Sequence, residues 1–337
     1  MHDSTNITAS ANGAVEAAPQ TVIFSFLSRP DATFLAERRK GDGHMLDSNG
    51  RVIDDPSANP SANVFEADPN LNFEKWGEYW RKVHGVRFVY AEDPDDHSLD
   101  HLLRYDQIHR IPAGPSSKAP LPYEVLVDAD GKLHDTIIGH IPPHVRPRWD
   151  GVAYLTFDTP DHIGKVFGTD RVQNKIGPED RTMFRDVAPI LSRQFVLVPS
   201  DRIDAVSLVK THVRRPELNR DTFQRHWLAE HADTVLAQQA TRTLVGRYVQ
   251  LHNVGGATEG EAFFYPETSA IDAVTLMSFS NMNDLEAYLL SEGHAAIMKS
   301  EERFSLTAEA EYWSALNFNI VQREAGERPT ARPDATA

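Results

Sequence analysis

The sequence predicts an α+β protein built from two copies of one ferredoxin-like unit, and three observations carry that prediction. The pattern Trp76-x-x-Tyr79-Trp80-x-x-x-His84 returns as Phe223-x-x-His226-Trp227-x-x-x-His231. A second pattern, Tyr105-x-Gln107-x-His109, returns downstream of the first as Tyr248-x-Gln250-x-His252. Around both, the elements follow the order strand, helix, strand, strand, helix, strand, which is the split βαβ arrangement. A repeat longer than about 100 residues marks a duplicated domain, since solenoid units recur at periods of roughly 20–50.

Each element has a local reason. Thr21 to Leu27 is a β-rich run stopped by Pro30, and Ala205 to Val213 is its counterpart, stopped by Pro216. Runs of that length ended by proline read as strands. The helices follow. At about 100° per residue with Trp76 at zero, Trp80 lies near ~40°, Phe73 near ~60° and His84 near ~80°, so one face carries aromatics and histidine together. Phe223, Trp227 and His231 fall on the same arc of the second helix, with Tyr79 and His226 on the other margin. The Tyr-x-Gln-x-His runs alternate polar with apolar residues, as strands do, so their polar side chains share one face. Such a face is costly to bury unless hydrogen-bonded, and it is expected to meet water, a ligand or the other half. Third strands are expected at Val152 to Phe157 and Ala273 to Phe279, and second helices at Asp161 to Val166 and Asn283 to Leu290. The closing segments end in Phe195 to Val198 and Tyr312 to Phe318.

Bulk properties exclude several classes. A chain of 337 residues with 40% hydrophobic content can fill two cores. A net charge of −15 without a basic stripe argues against nucleic acid as a partner. With 0 cysteines, there are no disulfides, thiolate nucleophiles or Cys-ligated metal centres. No apolar run approaches the roughly 18–20 residues of a membrane span, and no signal peptide is recognisable, so the expected location is cytoplasmic. Aperiodic polar tails are expected at 1–19 and 323–337. Between them an N-terminal unit spans 20–200 and a C-terminal unit spans 201–322. The first carries insertions at about 37–72 and 110–149, the second of these with a hairpin at Asp128 to Gly131. Connections of such length read as lids, pocket walls or arms that could join two chains into a homodimer.

Three other features read as structural. His140 and His144 are four apart, but Pro142 and Pro143 deny them the helical geometry of a metal pair. Asp93 to His97 reads as a solvated acidic loop, and Arg38-Arg39-Lys40 as a salt-bridging surface run.

The C-terminal half resembles the EthD-like family of the dimeric α+β barrel superfamily. The resemblance rests on Lys210-x-His212-x-Arg214-Arg215-Pro216, on Phe223-x-x-His226-Trp227-x-x-x-His231 and on Tyr248-x-Gln250, in that order. The first half matches more loosely, with Trp76 in place of Phe223 and Tyr79 in place of His226. The resemblance implies tandem ferredoxin-like domains forming an intramolecular dimeric α+β barrel. It also implies an apolar cleft between sheet and helices that holds a hydrophobic aromatic small molecule. No Gly-x-Gly-x-x-Gly or phosphate loop lies in a strand-to-helix context, so no cofactor and no metal are expected.

The expected activity is a cofactor-independent lyase of the dehydratase, cyclase or C–C/C–O eliminating type. Histidine, with an unperturbed pKa near ~6.5, would supply the acid/base chemistry. His231, His84 and His226 are the candidate acid/base groups, with Tyr248 and Tyr105 stabilising an oxyanion. Trp80, Trp227, Trp76 and Tyr79 are candidate substrate walls, although such rings serve equally as core. Gln107, His109, Gln250, His252, Arg214 and His212 are candidate polar contacts. Two other classes stand beside this one: a haem-dependent dehydratase or peroxidase on the same duplicated fold, and a non-catalytic ligand-binding protein.

Overall fold

The computed structural model describes residues 20–29, 39–40, 44–46, 52–53, 73–112, 114–118, 120–121, 148–200 and 204–329. Residues 1–19 and 330–337, most of both insertions, the expected hairpin at Asp128 to Gly131, and His140 and His144 lie outside the described residues.

Eight long strands form the framework. The first half supplies β1 (Thr21–Ser28), β2 (Arg104–Arg110), β3 (Gly151–Phe157) and β4 (Asp186–Val198). The second supplies β5 (Val206–His212), β6 (Val245–Asn253), β7 (Ala273–Phe279) and β8 (Tyr312–Gln322). They close into an antiparallel barrel in the order β1-β3-β2-β8-β5-β7-β6-β4. Within each half the order is fourth, first, third, second, as the ferredoxin-like topology requires. The halves are sealed at two seams, where β2 pairs with β8 and β4 with β6. Each seam joins the second strand of one half to the fourth of the other, so the barrel itself has no open edge. The short strands Arg39–Lys40, His44–Leu46 and Val52–Ile53 form a separate three-stranded sheet.

Strand alternation sorts the side chains. Phe24, Phe26, Tyr154, Val249, Leu276 and Trp313 belong to the core enclosed by the barrel. Residues of opposite parity, such as Leu155 and Phe157 in the first half and Leu208 and Met277 in the second, belong to outer cores beneath the helices. This corrects the expectation for the Tyr-x-Gln-x-His face. Ile108, Val249 and Leu251 turn inward, so Tyr105, Gln107, His109, Tyr248, Gln250 and His252 lie buried under the helices of their own half.

The helices are α1 (Phe73–Tyr79), α2 (Pro160–Phe167), α3 (Gly177–Met183), α4 (Arg220–His226), α5 (Ala232–Ala237), α6 (Gln239–Leu244), α7 (Met282–Leu289) and α8 (Glu292–Glu301). Asn219, Asn281 and Ser291 cap α4, α7 and α8 by accepting backbone N–H bonds. Both α1 and α4 run into a π turn, Trp80–His84 and Trp227–His231 respectively. There the uniform 100° step fails. Bonding from i to i+5 widens the turn and sets residues four apart nearly above one another. Trp227 and His231 accordingly stack, with centroids 4.1 Å apart and planes at 25°.

Arg323, expected to open a loose tail, is instead fixed. Its guanidinium donates to the carbonyls of Phe88, Val89, Leu99 and Leu102. Among the described residues no helix is long and apolar enough to cross a membrane.

Candidate functional site

The Tyr-x-Gln-x-His motif ties sheet to helix in both halves. In β6, Gln250 Nε2 donates to the Trp227 carbonyl at 3.0 Å and to the Tyr248 hydroxyl at 2.7 Å, while its Oε1 faces His252 Nε2 at 3.0 Å. In β2, Gln107 repeats the pattern with the Trp80 carbonyl at 2.8 Å, Tyr105 at 3.0 Å and His109 at 3.2 Å. An amide oxygen only accepts, so this network places the proton of each histidine on Nε2. Burial, with a smaller contribution from Arg81 and Arg193, holds His109 and His252 down to about 3. Burial pushes the Tyr105 and Tyr248 phenols well above their ordinary value. These six groups form a strut from strand to π turn, each glutamine binding its own tyrosine and histidine.

The halves diverge at the histidine that ends the π turn. In the first, His84 Nδ1 lies 3.1 Å from Glu179 and Nε2 lies 3.3 Å from Asp180. Glu179 also accepts from the Tyr79 hydroxyl and from Arg87 Nε at 2.6 Å. Burial opposes ionisation of Glu179, but hydrogen bonds from His84, Arg87 and Tyr79 outweigh it and hold the carboxyl down to about 2. Trp76 donates to the Met183 carbonyl at 3.0 Å, and Trp80 stacks on His109 at 4.4 Å. The packing is close enough to demand glycine at two points. A Cβ at Gly77 would sit 2.8 Å from the His109 ring, and one at Gly151 would sit 2.8 Å from the Trp80 ring.

In the second half, Trp227 lies against His212 at 3.8 Å and His231 at 4.1 Å, with the Phe304 ring 5.5 Å away and perpendicular. His212 Nε2 meets Thr275 Oγ1 at 3.0 Å. Lys210, two residues earlier on β5, forms an ion pair with Glu301 of α8. The other Glu301 oxygen lies 3.8 Å from His231 Nε2. Lys210 is 5% exposed, Glu301 2%, His231 1% and His212 0%. Three nitrogens in this cluster, His212 Nδ1, His231 Nδ1 and Trp227 Nε1, are buried without a hydrogen-bond partner among the described residues. Burial, reinforced by the Lys210 charge, holds His231 down to about 3 and His212 well below its ordinary value. Burial pushes the Glu301 carboxyl up, and Lys210 opposes the rise.

Strand register shows what the first half has at the same places. Ser25 opposes Ala153 in β1 and β3 as Lys210 opposes Thr275 in β5 and β7, and Leu27 stands where His212 stands. Lys210 and His212 at this layer therefore belong to the second half alone.

Two of the expected site residues lie apart. His226 is on the outer surface, 2.7 Å from Glu230 one turn on. Arg214 is committed to Asp272 and to the Leu218 carbonyl at 3.1 Å, and it does not join Tyr248. Conversely, Lys210 entered only as part of the family motif, and Glu301, Thr275, Glu179 and Asp180 were not singled out from sequence. Lys210 shares its strand parity with His212, a signal that was available. Glu301 had none, because Ser300-Glu301-Glu302 looks like any solvated helix end.

The expected apolar cleft is filled by rings, since Trp76, Trp80 and Trp227 are each 0% exposed. A cavity of about 290 Å³ on the first half is lined by Lys82, Val86, Arg87, Tyr90, Arg171 and Lys175, away from those rings. Phe88 and Phe184 pack on His84, and Trp227 and Phe304 on His231, so neither histidine faces a slot that would seat a porphyrin. Among the described residues no three His, Asp or Glu side chains converge as metal ligands.

Residues 215–307 match the EthD domain family model. No curated protein matches the sequence. Among solved structures, the chain is similar to an anthrone oxidase-like protein at 9% identity, with 94% of this chain and 98% of that chain covered and a TM-score of 0.46. It is also similar to a mutant chlorite dismutase from Candidatus Nitrospira defluvii at 10% identity, covering 88% and 91%, with a TM-score of 0.35. The second half therefore carries an EthD-like segment at residues 215–307, set in an eight-stranded barrel built from two ferredoxin-like halves.

Proposed function

We propose that the protein is an enzyme whose site is the cluster of His231, Glu301, Lys210, His212 and Trp227. It performs cofactor-independent acid/base chemistry of the eliminating, lyase type on a hydrophobic aromatic small molecule. The observation that carries the reading is the set of unpartnered buried nitrogens on His212, His231 and Trp227 beside the buried Lys210–Glu301 pair. An unsatisfied buried polar group costs about 1–3 kcal/mol, and a buried ion pair carries a desolvation penalty of its own. The first half completes the same layer with Ser25 and Leu27, so the fold does not require these groups. Buried titratable clusters of this kind are where acid/base sites are built.

In this reading His231 is the base. It is neutral, its Nδ1 is free to take a proton, and Glu301 faces its other nitrogen. Trp227 and Phe304 cover His231, so a substrate reaches its ring when one of these side chains swings away. His84 is a structural counterpart, because both of its nitrogens face carboxylates. Tyr248 and Tyr105 accept hydrogen bonds from glutamine and belong to the struts.

The test begins with a thermal-shift screen of aromatic ketols, ketones and hydroxy acids, followed by turnover assays on those that bind. His231→Asn should lower turnover by about 10²–10⁴, the usual contribution of a general base, and His226→Ala should leave it unchanged. Full activity in H231N with loss in H84N would move the site to the first half. Binding that depends on Trp227 without any turnover would favour the ligand-binding alternative.

A further inference from the structure

Lys210 is not used by the acid/base reading except as the partner of Glu301, yet its surroundings are those of a reactive amine. Among the described residues its Nζ binds two groups, both on α8, the Glu301 carboxylate and Met298 Sδ at 2.8 Å. His212 lies two residues along β5, and the Lys210 charge acts on His212, on His231 of the π turn and on His294 of α8, disfavouring protonation of each. One carboxylate, Glu301, is thus its counter-charge, and the imidazoles that feel the Lys210 charge are kept neutral chiefly by burial. The position has no structural demand for a cation, since Ser25 occupies it in the first half.

We propose that Lys210 is a nucleophilic amine that forms an imine with a carbonyl substrate, making this cluster a Schiff-base carbon–carbon lyase site for aryl β-hydroxy ketones. The proposal deepens the function given above and rests on the same placement of the site. The ammonium of Lys210 passes a proton to Glu301, leaving amine and acid with no charge in a buried environment. The amine lone pair attacks the carbonyl carbon and the C=O pair moves to oxygen. A proton shift from nitrogen to that oxygen gives the carbinolamine. Glu301 then protonates the hydroxyl, which leaves as water as the nitrogen lone pair forms the C=N bond. The balance is one carbonyl plus one lysine ammonium giving one protonated imine and one water, with Glu301 again a carboxylate.

Cleavage uses His231. It removes the proton of the β-hydroxyl, the adjacent C–C bond breaks, and its electron pair flows to the iminium nitrogen as an enamine while an aldehyde departs. The enamine takes the proton back at carbon from His231, and water hydrolyses the imine to free Lys210. Desolvated lysines are the usual nucleophiles of this chemistry. Met298 is half-buried and flexible, so it can swing aside to admit a small carbonyl compound.

The experiment is reductive trapping of the full chain with benzaldehyde and cyanoborohydride at neutral pH, read by peptide mass mapping. One adduct on Lys210 is expected in the native protein, ahead of exposed Lys82 and Lys175. Lys210→Arg should lose it while retaining the native circular dichroism, Glu301→Gln should slow it, and Met298→Ala should accelerate it. Labelling of Lys82, Lys175 and Lys299 in the native protein, with Lys210 modified only after unfolding in urea, would overturn the proposal. The two readings fail separately. A labelled Lys210 with fully active H231N would overturn the acid/base role alone, and an inactive H231N with an unreactive Lys210 would overturn the imine alone.

Discussion

Lowering the pH from 7 towards 4 should unfold this protein cooperatively, because the barrel buries several histidines as neutral rings. His109, His231 and His252 are each held down to about 3, and His212 lies well below its ordinary value. In the unfolded chain each returns to about 6.5. A folded-state pKa below the unfolded one contributes stability that is complete above ~6.5 and is lost as pH falls, because the unfolded chain takes up protons that the native state refuses. Across roughly pH 5.5 to 4, each ring removes about 1.4 kcal/mol per pH unit. Three rings remove about 4 kcal/mol per unit and four about 5 by the same relation. Against a total stability of about 5–15 kcal/mol, the native state is exhausted within two or three units below ~6.5. The assay is urea unfolding at stepped pH, followed by near-ultraviolet circular dichroism. His252→Gln should reduce the slope by one proton. A slope below one proton between pH 5.5 and 4 would refute the argument, since at least two of these rings would then be charged in the folded state.

Other outcomes follow from the same geometry. Lys210→Met should cost about 3–5 kcal/mol by stranding Glu301, whereas Lys210→Met with Glu301→Leu should recover most of that in urea melts; equal losses in the single and double variants would show the pair to be uncoupled. The K210M loss should also grow as pH rises, because Glu301 without its cation is tolerated only when protonated. Gln250→Leu should cost about 1–3 kcal/mol by stripping the Trp227 carbonyl and Tyr248 hydroxyl of a donor, with Gln107→Leu showing the same loss in the first half. Gly77→Ala should cost about 1–3 kcal/mol by overpacking against His109, and a melting temperature unchanged from wild type would show that the His109 ring can yield.

Much of the fold was legible because its signals are local. The alternation in Tyr105 to His109 and Tyr248 to His252 identified strands, and the proline stops after Ser28 and Val213 closed the first strand of each half. The helices α3, α5, α6 and α8 escaped, being short and weakly periodic, with stability drawn from tertiary contact. The angle computed for the Trp-x-x-x-His face assumed a regular helix, and the π turn at Trp227–His231 replaced a 40° offset with a stack.

The sequence by itself determined that the chain is a duplication, that each copy is ferredoxin-like, and that aromatics and histidine share a helix face. Those are properties of periodicity and repetition, which need no partner. Tertiary structure alone decided where the polar strand face would lie, which carboxylate meets the buried lysine, and what confronts each histidine. Glu179 reaches His84 across 95 residues of sequence, and Glu301 reaches Lys210 across 91. The physical reason is that an ion pair or an orphaned nitrogen is defined by what folds against it, and closing the barrel is what brings those groups together.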